Sequence, residues 1–233
     1  MKKNIVVSII FIFSFLICKS QTRRIELGFL GGINVGSLYG PGADFGFYNQ
    51  YKKRMVGGVV GLQFKYRFSK RFALKTIFQL EQNGYILSDR TLEDHSGNPY
   101  GQGDEISKQS YLNIPLVTEF SFGNKIMFNT NAGLFVGVSI KDIFITKVKQ
   151  RFIPPGQPPA LEIFKQKNYN HNSFNTGISF GTGVVVPLTQ KIKLSINLQD
   201  NLGLINISND DQSSDHYIKT NSISFVTGVT YSL

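Results

Sequence analysis

The chain of 233 residues has no tryptophan, one cysteine and three histidines, and only 17% of its residues are charged. So low a charged fraction excludes a solvated, disordered polymer and calls for a packed core or a lipid-facing surface. The one cysteine, Cys18, lies in a start that reads as a leader: Met1-Lys2-Lys3, an apolar run from Ile5 to Ile17, then Cys18-Lys19-Ser20-Gln21. A basic head, an apolar stretch too short to span a bilayer and small residues at 18 and 20 predict a secretory signal peptide over residues 1–20, cleaved after Ser20. The rival is a lipoprotein leader with Cys18 acylated, against which Ile17 stands where a small residue is wanted. The expected mature chain, residues 21–233, is one barrel domain without disulfide, thiol nucleophile or cysteine-based zinc site. Losing Lys2, Lys3 and Lys19 leaves 22 basic against 15 acidic residues, a formal +7. In an exported protein that charge points to lipid phosphate or anionic glycolipid rather than nucleic acid.

Past the leader no long apolar run remains, which excludes a bundle of membrane-spanning helices. What is present is period two. Eight segments alternate, near 25–36, 55–68, 72–86, 110–122, 126–140, 173–186, 191–207 and 219–233. In the second, Val56, Val60, Leu62, Phe64, Tyr66 and Phe68 share one face, and Gln63, Lys65 and Arg67 the other. The third, fourth, fifth and seventh obey the same rule, so one face can meet hydrocarbon and the other cannot. Two kinds of connection alternate between them. Residues 69–71, 123–125 and 187–190 are tight turns, whereas 37–54, 87–109, 141–172 and 208–218 are long. Short periplasmic turns alternating with long external loops define an all-β, eight-stranded antiparallel up-and-down transmembrane β-barrel in the outer membrane of a Gram-negative bacterium, with both termini periplasmic. Closure removes the edges that lipid would leave unpaired.

Several stretches resemble the PorT-like outer-membrane β-barrel family, common in Bacteroidota: Gly28-Phe29-Leu30-Gly31-Gly32-Ile33-Asn34, Tyr111-Leu112-Asn113-Ile114-Pro115-Leu116 and Gly133-Leu134-Phe135-Val136-Gly137. The resemblance covers the mature chain and implies an eight-stranded outer-membrane barrel without an assigned activity. The last strand, with Gly228, Tyr231 and the apolar end Leu233, looks like the signal read by barrel-assembly machinery, with Val226 and Leu233 departing from its usual residues.

A barrel of eight strands is only wide enough to be filled by side chains. Its expected lining carries Glu26, Lys65, Arg67, Lys75, Glu81, Glu119 and Lys193, and Lys75 with Glu119 is the first pair to test, since buried charges must be matched. Lumen-side glycines (Gly28, Gly32, Gly57, Gly61, Gly177, Gly181 and Gly183) favour the alternative of a narrow polar path for small solutes or ions. The expected external basic loop carries Lys141, Lys147, Lys149, Arg151, Lys165 and Lys167 and faces an acidic second loop, so the two can steer a partner or pair over the barrel mouth. His95, His171 and His216 fall in loops near no nucleophile motif, and Asp210, Asp211 and Asp215 lack calcium-loop spacing. No catalysis, cofactor or metal is expected. The leading function is a non-enzymatic, structural or partner-binding barrel, an accessory subunit of an envelope or secretion assembly. Its expected partners are outer-membrane lipid, lipopolysaccharide, the assembly machinery during insertion, and an envelope protein at the loops. The alternatives are the narrow pore and a soluble lipocalin-like barrel with its apolar face inward.

Overall fold

The computed structural model describes residues 25–41, 52–93, 96–97, 99–151, 162–167, 172–207 and 217–233. Among them are nine strands: β1 (Ile25–Tyr39), β2 (Lys52–Arg67), β3 (Phe72–Glu93), β4 (Pro99–Phe122), β5 (Met127–Arg151), β6 (Glu162–Lys167), β7 (Phe174–Pro187), β8 (Ile192–Gly203) and β9 (Lys219–Ser232). Eight of them close into an antiparallel ring, β1-β2-β3-β4-β5-β7-β8-β9, sealed where β9 returns to β1. The ninth, β6, takes over the edge of β5 above the point where β7 stops. β5 pairs with β7 from Met127 to Val138 and with β6 from Ile143 to Val148.

The ring is inside out compared with a soluble protein. Leu134 is 66% exposed, Leu62 61% and Phe29 58%, while Glu26 is fully buried and Lys65 nearly so. Only a surrounding apolar solvent makes that division favourable. It is the reverse of the lipocalin-like arrangement, and that alternative falls here. Aromatic rings gather at the short-turn end, where Phe72, Phe120, Phe122 and Phe128 follow one another at centroid distances of 5.0, 6.2 and 5.6 Å.

Two of the short turns use the same chemistry. The Ser69 hydroxyl accepts the amides of Arg71 and Phe72, and the Thr189 hydroxyl accepts those of Lys191 and Ile192. A side-chain oxygen thus replaces a backbone acceptor and tightens the bend. In the third, Gly123 has φ +105°, and a Cβ there would run into the Ile126 carbonyl.

Two long connections differ from the sequence expectation. Residues 87–109 are mostly the continuing β3–β4 hairpin, paired as far as Glu93 and Pro99. Of the expected loop 141–172, β5 occupies everything up to Arg151 and β6 another six residues. The ring therefore carries a tall wall on one side, β3 to β6, while the β7–β8 ladder ends at Gly177 and Gly203. Beyond Val138, β5 runs on for 13 residues, from Ser139 to Arg151, roughly 40 Å of strand.

Candidate functional site

The alternation that turns Leu, Phe and Val outward turns the charged residues of β1, β2, β3, β4 and β8 into the ring near its short-turn end. The register sets Lys65 directly across from Lys75, a like-charge pair that would repel if nothing stood between them. Glu119, from β4, stands between them. Its two oxygens lie 2.8 Å from Lys65 Nζ and 2.9 Å from Lys75 Nζ, with all three side chains at most 5% exposed. Glu26 has an equivalent role a short way around the ring. It accepts from Arg67 Nε at 2.6 Å and from Lys193, and Lys65 lies 3.7 Å away. Four cations thus share two carboxylates. The excess positive charge falls to Arg67 and Lys193, whose side chains are 13% and 16% exposed at the open end and keep some water.

Glu81, expected in the same network, sits six positions further along β3, where its partners are amides and the Ser222 hydroxyl rather than cations. Gln79 Nε2 donates to one oxygen at 2.9 Å and Asn83 Nδ2 to the other at 2.9 Å, with Asn113 Nδ2 donating beside it. Asn83 in turn accepts from Asn34 at 2.9 Å. The interior therefore has two layers, an ion-paired one near the short turns and an amide-solvated carboxylate above it.

The sequence reasoning missed what the lumen-side glycines are for. Asn34 faces Gly57, Gln79 faces Gly61, Asn113 faces Gly137 and Asn197 faces Gly183. At Gly57 a Cβ would meet Asn34 Oδ1 at 2.8 Å, at Gly61 it would meet Gln79 Cβ at 3.0 Å, and at Gly137 and Gly183 it would collide with Asn113 and Asn197. At Gly57, Gly137 and Gly183 an amide from the neighbouring strand lies in the space the glycine leaves, whereas at Gly61 the neighbour is the stem of Gln79, and at Gly28, Gly32 and Gly177 a Cβ would meet Thr230 or the facing backbone. The signal was available as a cross-strand pattern, but only once the register is known. Beside Lys65, Lys75 and Glu119, bounded by Gln63, Asn129, Ser195 and Asn197, lies a cavity of about 10 Å³, room for about one water molecule.

On the tall wall the residues expected in a basic loop lie in strands. Lys141, Lys147, Lys149 and Arg151 belong to β5, and Lys165 and Lys167 to β6. Lys149 bridges Asp89 and Asp104 at 2.8 Å each, and Arg90 pairs with Glu105. The Asp89 amide also donates to Asp104 Oδ1 at 3.0 Å, holding Asp89 at φ +58° at the irregularity between Leu87 and Arg90. The hydrogen bond from Lys149 holds the Asp89 carboxyl below the usual aspartate range, and the two carboxylates push the Lys149 ammonium above the usual lysine range. At the other end, Gly228 faces inward, Tyr231 faces outward with Lys191 Nζ 3.1 Å from its hydroxyl, and the Leu233 amide donates to Ile25 O at 2.9 Å. His95, His171, His216, Asp210, Asp211, Asp215 and residues 1–24 lie outside the described residues.

A closed ring of eight antiparallel strands, apolar outside and charged within, defines the class of outer-membrane β-barrel proteins. The family model described as outer membrane protein beta-barrel domain matches residues 19–209, and the chain belongs to that family. Its location is the outer membrane. No curated protein matches the chain. Solved structures similar to it include Neisserial surface protein A, at 11% identity over 92% of this chain and all of the other, with a TM-score of 0.47. Another is the attachment invasion locus protein Ail of Yersinia pestis in complex with the heparin analogue sucrose octasulfate, at 11% identity over 89% of this chain and 98% of that one, with a TM-score of 0.42. A third is OprG of Pseudomonas aeruginosa, at 10% identity over 88% and 94%, with a TM-score of 0.40.

Proposed function

We propose that the protein is a non-enzymatic, structural or partner-binding barrel whose ring is a filled base and whose β3–β6 wall is the working surface, as an accessory subunit of an envelope or secretion assembly. The orientation goes with this reading: short turns and both termini on the periplasmic side, the wall outside. So does a cleaved leader over residues 1–20. The PorT-like assignment within Bacteroidota belongs to the same proposal and rests on the motifs around Tyr111 to Leu116 and Gly133 to Gly137.

The observation that carries the reading is the wall itself. β5 continues for 13 residues past the last residue it shares with β7, far more strand than a hydrocarbon core requires. Loops and extensions outside a rigid scaffold are where binding residues collect. Affinity purification of the full chain in mild detergent tests it: a second envelope protein in fixed ratio is the expected result, and recovery of this chain alone would remove the basis for an accessory subunit. The second reading, a narrow pore, draws on the charged interior near the short turns. Amides lying over Gly57, Gly137 and Gly183, and the small cavity beside Lys65, Lys75 and Glu119, support the filled base. Planar-bilayer recording of the purified barrel is therefore expected to give no reproducible single-channel steps, and steady unit conductance would favour the pore.

A further inference from the structure

On the outward face of the tall wall, just beyond the lipid band, lysines and isoleucines interleave. In a ladder, directly opposed residues share a face. Outward β5 residues Lys141, Ile143, Ile145 and Lys147 are opposed on β4 by Ser110, Lys108, Ile106 and Asp104. On β6, Lys167 opposes Ile143, Lys165 opposes Ile145 and Ile163 opposes Lys147. Asp142 turns the other way, toward Gln109. Where β6 begins to cover β5, a cavity of about 370 Å³ opens, with Ile140 and Ile143 as its apolar side, Lys141, Lys165 and Lys167 around it, and Gln166 and the single carboxylate Asp142 completing its lining, three cations to one anion.

The height of this cavity decides what it can take. A tilted strand crosses the hydrocarbon in roughly 9–11 residues. On β5 that stretch is Phe128 to Val138, whose outward residues Leu134, Val136 and Val138 are 66%, 45% and 47% exposed. Ile140 and Lys141 follow at the boundary, so the apolar side of the cavity is continuous with the lipid-facing surface while its ammonium groups stand at headgroup level. A ligand filling it must be anionic at one end and acyl-bearing at the other. We propose that this cavity binds the phosphorylated headgroup of an outer-leaflet glycolipid, with phosphate held by Lys141, Lys165 and Lys167 and acyl chain lying along Ile140 and Val138. The site rests on the outside orientation of the wall stated above.

The test uses the full-length barrel in detergent, with bis-phosphorylated lipid A, its dephosphorylated form and inorganic phosphate as probes, and binding read by native mass spectrometry. Saturable binding of lipid A is expected, with the dephosphorylated form much weaker and millimolar inorganic phosphate unable to compete. A variant carrying Lys141→Gln, Lys165→Gln and Lys167→Gln is expected to lose roughly fivefold in affinity per lysine, on the order of a hundredfold in all. Lys70→Gln with Lys125→Gln, on the short turns, is expected to bind as the parent does. Heat-modifiable gel migration establishes that each variant is folded. Equal binding of the dephosphorylated lipid, competition by inorganic phosphate, no loss in the triple variant or an equal loss in the turn variant would each overturn the site. The orientation is read separately: Gln166→Cys should react with a membrane-impermeant maleimide on intact cells. Protection there would overturn the outside placement, whereas a labelled wall that ignores lipid A would overturn the glycolipid site alone.

Discussion

Two charge clusters in this barrel are mirror images, one inside the ring and one on the wall. Inside, one carboxylate, Glu119, is shared by two ammonium groups at 2.8 and 2.9 Å. On the wall, one ammonium, Lys149, is shared by two carboxylates at 2.8 Å each. The distances hardly differ, but the surroundings do. Glu119 is 1% exposed, whereas the side chains of Lys149 and Asp89 are 45% and 64% exposed. Water already solvates the wall charges with or without their partners. Inside the ring there is room for about one water beside the cluster, so the same contact length marks a requirement of the fold in one place and a local preference in the other.

The largest effect expected from that contrast is at Glu119. Glu119→Gln leaves Lys65 and Lys75 facing one another across the ladder without their shared counter-charge, and removing one partner of a buried ion pair typically destabilises by about 3–5 kcal/mol. The urea midpoint of the barrel in lipid vesicles, followed by heat-modifiable migration, should fall accordingly. Adding Lys75→Met to Glu119→Gln should recover much of the loss, because Lys65 still lies 3.7 Å from Glu26 and the opposed like charge has gone. If the single variant unfolds at the parental midpoint, the interior cluster is as dispensable as a surface pair.

A smaller change, still inside, is expected where an amide lies over a glycine. Gly137→Ala puts a methyl group where Asn113 Oδ1 now sits, and Asn113 is 1% exposed and donates to Glu81. Overpacking of this kind costs about 1–3 kcal/mol. Combining it with Asn113→Ala should give less than the sum of the two single losses, since the methyl then occupies space the amide has vacated. Strict additivity would mean that glycine and amide are not a packing unit.

How much of this was legible in the sequence follows from where alternation is clean. In β2, β3 and the ring portion of β5, apolar and polar residues separate by parity, so the lipid face and the interior charges can be read directly. In the upper portion of β5 the parity carries no contrast: Lys141, Ile143, Ile145 and Lys147 fall on one face and Asp142, Phe144, Thr146 and Val148 on the other. A strand whose two faces both mix charge with hydrocarbon reads as a loop, which is why residues 141–172 are expected as loop and the wall is not. The interior charges are legible for the same reason the wall is hidden. Their arrangement into an ion-paired layer and an amide layer is not, because parity gives the face while height depends on the stagger between strands. The glycines suggest a thin lumen, since the amides that fill it come from other strands.

The smallest effects belong to the wall, and they separate a cluster that tunes titration from one that holds the barrel closed. Asp89 has its carboxyl held below the usual aspartate range by Lys149, so its stabilising contribution is complete above about pH 4 and disappears as the pH falls through its lowered folded value. Lys149 is pushed above the usual lysine range, so its contribution is complete below about pH 10 and is lost as the pH rises through the raised value. Between those limits the pair should be flat with pH. Lys149→Gln removes the donor, and the Asp89 carboxyl carbon, followed by NMR in micelles, should titrate closer to the usual aspartate value of roughly 4. High salt should move the parental Asp89 in the same direction, because an exposed pair is screened. The unfolding midpoint of Lys149→Gln at neutral pH should fall only slightly, far less than that of Glu119→Gln, because the pair it breaks is exposed. If it fell as far as that of Glu119→Gln, exposure would not be what distinguishes the two clusters, and the wall would have to be counted among the elements that keep the ring folded.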